Sequence, residues 1–325
     1  MDGIERLRYI RRMPPGSPGV AYAALLLTAA LWGSNAVVAR GLLDVVTPAQ
    51  LAFARWLVVL ACLSPFAYVE REGVARALRE QWRDYLALAL LGFAPQTLLS
   101  YTALAHTTAL VAGLLNSAIP VLIVAIAAVI YARRPRRLEM VGLAISSAGV
   151  VTIVAQGSVA TLLSMRVNGA DVLMFGAMFV WAIYTLRLVS RPRGISLPAF
   201  TFVAALLGEL AIAPIAVADV AMHGLSKVGP REVAGIAYVG LLPSLAATLL
   251  WTFGVARLGA VRAGAFTHLV PVFAALFAVT FLGERLYAYH ALGFVLVAGG
   301  ALLCCLVEGA VLSSNAPRRA GAAVS

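Results

Sequence analysis

The sequence predicts an all-α integral membrane protein, with ten transmembrane helices in two five-helix repeats that enter the bilayer in opposite orientations. Three observations carry this expectation. Hydrophobic residues make up 62% of the chain and charged residues 12%, about half the charged share of a soluble domain. Uncharged apolar runs of bilayer-spanning length, about 20 residues each, recur along the chain. Two parts of the chain also match each other at a nearly constant offset.

The runs cover 20–39, 85–132, 140–165, 233–256, 263–283 and 286–307. The second is twice the length of a span, and His106-Thr107-Thr108 is the polar break that divides it into a third and a fourth helix. Segments 51–69, 172–189 and 197–218 supply the second, sixth and seventh helices, each with a charge inside it or near its end: Arg55, Arg187 and Glu209. The first run follows a basic stretch but is too long for a signal-peptide core and shows no clear small-x-small cleavage site, so it reads as an uncleaved helix. The resulting division is a cytoplasmic segment 1–19, a first repeat 20–157, a second repeat 170–307 and a cytoplasmic tail 308–325.

A formal charge of +11 invites a nucleic-acid reading, but the arginines are scattered over short loops and form no basic face. Their distribution is informative instead. With a cytoplasmic N-terminus and alternating spans, 19 of the 25 basic residues fall on the cytoplasmic side, five on the other, and Arg55 inside a span. That satisfies the positive-inside rule and predicts a multi-pass protein of the bacterial inner membrane with both termini cytoplasmic. Cys62, Cys304 and Cys305 all lie in spans and are odd in number; they imply no disulfide framework and read as packing residues.

At an offset of 151 residues, Ala109, Ala112, Gly113, Pro120, Val121, Ala127, Arg134, Gly142 and Gly149 fall without a gap on Ala260, Ala263, Gly264, Pro271, Val272, Ala278, Arg285, Gly293 and Gly300. Trp32 matches Trp181, Pro48 matches Pro198 and Pro65 matches Pro214 at slightly shorter offsets. Five helices is an odd number, so the second half must enter the membrane the other way up. Loop charges agree: the basic Arg133-Arg134-Pro135-Arg136-Arg137 corresponds to the nearly neutral Gly283-Glu284-Arg285-Leu286, and His106-Thr107-Thr108 to a segment bearing Arg257 and Arg262. Inverted repeats serve secondary transporters, because exchanging the conformations of the halves opens a central site to either side.

Trp32-Gly33-Ser34-Asn35, Arg55, the stretch from Ala109 to Pro120-Val121, Gly283-Glu284-Arg285, Gly293 and Gly299-Gly300 together resemble the drug/metabolite transporter superfamily, more narrowly its ten-helix EamA-type exporters. The likeness covers about residues 20–307. It implies export of small metabolites, often amino acids, through a cavity between the halves. One departure stands out: the family's usual acidic residue after the fourth helix is absent, Arg133 aligning with Glu284.

Polar groups in lipid are costly and usually face a bundle interior. Trp32 and Asn35 share a helix face, and Asn35 serves either a substrate or a neighbouring helix. Gly113, Asn116, Ser117 and Pro120 share another face, repeated as Gly264, Thr267, His268 and Pro271. Each proline removes a backbone donor, making Gly113, Pro120, Gly264 and Pro271 candidate hinges around a central site; ordinary helix flexing is the alternative. His268 is a candidate substrate or proton-coupling group, or a packing residue. Glu209 either carries protons or pairs with Arg55, an ion pair we expect because their helices are repeat partners. Asp171 and Glu308 are expected to reach the interface. Tyr101, Trp181, Tyr184 and Trp251 sit in spans expected to be inner ones, as stacking surfaces or core, and they favour a neutral amino acid, aromatic ones included, as substrate. Glycines of the fifth and tenth helices permit close packing.

The first functional expectation is thus alternating-access export of small metabolites, amino acids first, by a monomer or weak homodimer in the lipid bilayer without cofactor, metal or nucleic acid. A proton-coupled multidrug pump for organic cations is the second, weakened by the lack of a mid-depth carboxylate outside the seventh helix. An intramembrane enzyme would need metal ligands or a nucleophile with a base, and a channel a charge ring or filter loop; neither pattern is found.

Overall fold

The computed structural model describes residues 18–107, 112, 115–164, 168–282, 285 and 287–314. Every regular element among them is helical: α1 Pro18–Leu42, α2 Pro48–Val69, α3 Arg71–Gly92, α4 Ala94–His106, α5 Ala118–Ile130, α6 Arg137–Val154, the short α7 Val159–Leu163, α8 Gly169–Leu188, α9 Leu197–His223, α10 Pro230–Val239, a π-helical segment Gly240–Ala246, α11 Ala247–Leu258, α12 Ala260–Ala265, a 3₁₀ turn Phe266–His268, α13 Leu269–Leu282 and α14 Ala288–Ser314. Among the described residues eight helical stretches are long and apolar enough to cross a membrane, and Ala118–Ile130 and Ala288–Cys304 are shorter apolar helices. In hydrocarbon each backbone amide must find its partner inside the segment, which is why apolar runs of this length fold as helices.

Local chemistry sets the ends. Thr47 caps α2 by accepting from the Gln50 amide at 3.3 Å, with Pro48 following; Ser196 caps α9 by accepting from Ala199 in the same manner, with Pro198 in the first turn. Proline there costs no helical hydrogen bond and presets φ. Gly224 and Gly259, at φ 77° and 82°, end α9 and α11 in a conformation open to glycine. Within the helices Thr28, Thr185, Thr201, Thr252 and Thr280 return their hydroxyls to the carbonyl four residues back, satisfying them without water.

The principal packing pairs are α6 with α14, α2 with α9, α1 with both α11 and α13, and α8 with both α4 and α5. The backbones of α6 and α14 meet at glycines: a Cβ on Gly142 would lie 2.7 Å from the Gly300 carbonyl oxygen, and one on Gly149 2.8 Å from that of Gly293. Large apolar side chains cover the outside, among them Leu57, Phe66, Val129, Ile130, Val217 and Val295, a surface suited to lipid rather than to water.

Three boundaries differ from the sequence expectation. The third helical stretch begins at Arg71, well before the apolar run, because the charged residues 71–80 are themselves helical, separated from the apolar part by a kink at Gln81 (φ −131°, ψ 22°). The run 140–165 is not one helix: α6 ends at Val154, where Gln156 and Gly157 take positive φ, and α7 follows as a separate turn. Both proline helices restart just before the proline rather than bending at it, α5 at Ala118 and α13 at Leu269, so Pro120 and Pro271 lie in first turns, where a missing amide hydrogen leaves nothing unpaired. Gly113 lies outside the described residues, as do the side chain of Glu308 and all of Glu284.

Candidate functional site

The site is built on two interruptions. In α3–α4 the helix breaks at Phe93, between Gly92 and Pro95; in α10–α11 it loosens into the π-helical segment between Gly240 and Ala246, around Pro243. Both breaks carry the pattern Gly-x-x-Pro. Pro243 has no N–H, so the Val239 carbonyl four residues earlier lacks its usual donor. Ser244 supplies one, its hydroxyl donating to Val239 O at 2.5 Å.

That arrangement turns the Ser244 oxygen into an acceptor, and Arg55 of α2 uses it. Its Nε donates to Ser244 Oγ at 2.6 Å while Nη1 donates to the Tyr101 hydroxyl on α4. Tyr101 in turn donates to Asn35 Oδ1 on α1 at 3.4 Å. The guanidinium also lies 5.3 Å from the Tyr101 ring centroid and 5.9 Å from that of Trp56, within cation–π range. A single chain thus runs from Asn35 through Tyr101, Arg55 and Ser244 to Val239, crossing four helical stretches.

Beside it stands an aromatic cluster. Trp32 donates Nε1 to the Pro243 carbonyl at 3.2 Å. Its ring meets Trp181 of α8 edge-on, with centroids 5.3 Å apart and planes at 82°, and Trp251 of α11 at 5.0 Å. Trp181 and Trp251 are 5.9 Å apart, and Tyr184 lies 4.9 Å from Trp181. Trp251 is 1% exposed and its Nε1–H has no partner. Ring pairs at these distances contribute about 0.5–1.5 kcal/mol each beyond burial.

Of the sequence candidates, Trp32, Asn35, Tyr101, Trp181, Tyr184, Trp251 and Arg55 therefore converge. The expected pairing of Arg55 with Glu209 does not form: Arg55 turns toward the π-helical segment and α4, and both carboxylate oxygens of the buried Glu209 lack a hydrogen-bond partner. Asn116, Ser117, Thr267 and His268 gather elsewhere, at the break between α12 and α13. His268, fully buried, donates Nε2 to the Ser117 carbonyl at 2.9 Å and places Nδ1 2.6 Å from Ser146 Oγ of α6. The Asn116 amide donates to the Ala112 carbonyl and the Thr267 hydroxyl to the Gly264 carbonyl, both local bonds, and Gly264 lies against α5, a Cβ there meeting Ile123 at 2.7 Å. His268 thus uses both ring nitrogens on protein atoms, the geometry of a cross-link between α5, α6 and the 3₁₀ turn. Asp171 is buried at the start of α8, accepting from the Asn168 amide at 2.7 Å and from the Thr107 hydroxyl. Among the described residues no group of three or more His, Cys, Asp or Glu side chains could hold a metal ion.

Sequence reasoning missed Pro243 and Ser244. The signal was available in the twin Gly92-x-x-Pro95 and Gly240-x-x-Pro243 patterns, since an intramembrane proline obliges a nearby donor to replace the lost one.

Comparison with known proteins places this site in context. An uncharacterized transporter of Archaeoglobus fulgidus is 29% identical over 86% of this chain and 95% of its own length. A probable terminal-alkyne amino-acid exporter of Streptantibioticus cattleyicolor is 30% identical over 80% of this chain and 85% of its own. A solved crystal structure shares the fold, with a TM-score of 0.68 at 21% identity, covering 89% of this chain and 99% of that one. The model of the EamA-like transporter family matches twice, over residues 19–155 and 168–306. The chain, a multi-pass membrane protein made of two such domains, belongs to the EamA-like transporter family.

Proposed function

We propose that the protein exports neutral amino acids, aromatic ones foremost, by alternating access through a central site between two inverted five-helix halves of a ten-span bundle, with both termini in the cytoplasm. The observation that carries this reading is the composition of the Arg55–tryptophan cluster. Its members come from both halves: α1, α2 and α4 from the first, α8, the π-helical segment and α11 from the second. A site shared by two halves opens to one side or the other when they rock against each other. The exporter of S. cattleyicolor, named for an amino-acid cargo, adds support at 30% identity.

Inversion draws support from contacts that come in exchanged pairs. Gly142 meets Gly300 and Gly149 meets Gly293, and the offset of 151 converts one contact into the other. Thr47 at the start of α2 donates to Asp219 near the end of α9 at 2.6 Å, while the amide of Ser196 at the start of α9 donates to Glu70 at the end of α2 at 2.8 Å; the offset that maps Trp32 onto Trp181 maps Thr47 onto Ser196 and Glu70 onto Asp219. A two-fold axis in the membrane plane generates such pairs.

Purified protein in proteoliposomes preloaded with unlabelled amino acids should take up labelled L-phenylalanine and L-leucine by counterflow, above protein-free vesicles. Flux equal to that of empty vesicles for all neutral amino acids would remove this reading. The second reading, proton-coupled efflux of organic cations, is favoured by one feature, the unpartnered buried carboxylate of Glu209. It expects ethidium efflux driven by a pH gradient and abolished by Glu209→Gln.

A further inference from the structure

We infer that Arg55 is the anchor for the carboxylate of a zwitterionic or monoanionic substrate, whose side chain stacks among Trp32, Trp181 and Trp251. The inference names a group for the site proposed above and rests on that reading for the amino-acid identity alone. Arg55 is 6% exposed in a membrane-spanning helix and forms no ion pair with an acidic residue among the described residues. Its bonds go to two neutral hydroxyls, Ser244 and Tyr101, which orient the guanidinium and leave its charge intact. An arginine carries five N–H donors, and these two bonds use Nε and Nη1, so Nη2 has no hydrogen-bond acceptor among the described residues.

A buried charge without a counter-charge is costly, and a purely structural role could be filled by a neutral side chain of the same length. An anion arriving from solution removes that cost while it is bound, which makes the site selective for it. The planar guanidinium fork matches a carboxylate in two parallel hydrogen bonds. A phosphate monoester carries close to two charges, whereas this cluster offers one cation walled by rings; the charge count fits one carboxylate. Asn35 stands next in the hydrogen-bond chain, 3.4 Å from the Tyr101 oxygen, within reach of a second polar group on the same ligand. Trp251 Nε1–H, without a hydrogen-bond partner among the described residues, is a further donor in the same cluster.

The test is counterflow of labelled L-phenylalanine in proteoliposomes, with L-phenylalaninamide, phenethylamine and 3-phenylpropionate as competitors. The amide and the amine lack the carboxylate, and the acid lacks the amino group. In the wild type we expect the amide and the amine to compete at concentrations higher by about tenfold or more, the scale of one charged hydrogen-bonded contact, and 3-phenylpropionate to compete. Arg55→Gln should raise KM by about tenfold or more and abolish the discrimination between acid and amide; Arg55→Lys should retain part of both. A merely structural arginine would lower the amount of folded protein without changing that ratio. Equal competition by phenylalanine and its amide in the wild type overturns the inference, with no need for any variant to fold. So does an Arg55→Gln protein that keeps the discrimination. If L-phenylalanine does not move but labelled 3-phenylpropionate moves in an Arg55-dependent way, the carboxylate anchor stands and the amino-acid reading falls. If neither probe moves, the anchor for an aromatic carboxylate falls, and the amino-acid reading falls with it when L-leucine and the other neutral amino acids also fail to move.

Discussion

Trp32 and Trp181, which hold matching positions in the two halves of the sequence, meet edge to face with ring centroids 5.3 Å apart. Trp32 also donates to the Pro243 carbonyl and touches Trp251. Trp32→Ala therefore removes three interactions and leaves a void, and we expect a loss of about 3–5 kcal/mol, read as the shift in unfolding midpoint of the detergent-purified protein. Trp251→Phe should behave differently. It removes an indole N–H that has no partner, and the relief of that cost, about 1–3 kcal/mol, offsets the smaller ring. Stability within about 1 kcal/mol of wild type is expected, with a raised KM.

Ser244 ties the π-helical segment to α2, serving the Val239 carbonyl and Arg55 together. Ser244→Ala removes both side-chain bonds and leaves the charged donor without its acceptor, and a cost of about 1–3 kcal/mol follows. Because Arg55→Gln breaks one of the same bonds, the double variant should lose less than the two single losses combined. Additive losses in a thermal-unfolding cycle would show that the two residues act separately.

Between α6 and α14 the contact is backbone on backbone. Gly142→Leu and Gly300→Leu should each destabilise by about 1–3 kcal/mol through overpacking. Gly176 of α8, where an added Cβ meets nothing within 4 Å, is the control: Gly176→Leu is expected to leave the unfolding midpoint unchanged or raise it slightly, as replacing a helical glycine does.

Glu70, at the exposed junction between α2 and α3, accepts hydrogen bonds from the hydroxyl and amide of Ser196, and these hold its carboxyl below the usual glutamate range. A folded pKa below the unfolded one contributes stability that is complete above the unfolded value and lost as the pH falls through the folded one. Wild type should exceed Glu70→Gln by a constant margin above about pH 5, and the margin should shrink below about pH 4.5. Unfolding midpoints measured across that range would follow it.

The helices themselves were legible because apolar runs in lipid have few alternatives to helix, and prolines 48 and 198 marked where two of them start. The aromatic cluster was legible in part: Trp32, Tyr101, Trp181, Tyr184 and Trp251 stand out by type and depth. What brings them together was not. The breaks at Gly92–Pro95 and Gly240–Pro243 lie inside unbroken apolar runs, where hydropathy does not register a lost hydrogen bond. The Arg55–Glu209 pairing failed for a related reason. When a helix is apolar all round, periodicity does not say which face a lone charge takes, and Arg55 points toward the hydroxyls that a proline two helices away made available. His268 was visible as a buried polar residue, but its engagement by Ser117 and Ser146 depends on packing among α5, α6 and the 3₁₀ turn that no local pattern encodes.

The central claim is that the two halves cross the membrane in opposite senses. It is tested most directly by labelling Arg134→Cys and Arg285→Cys, matched positions at offset 151, one at a time in a chain whose three native cysteines are replaced, with a membrane-impermeant maleimide applied to right-side-out and inverted vesicles. Position 134 is expected to label in inverted vesicles and position 285 in right-side-out ones. Labelling of both from the same side would contradict it.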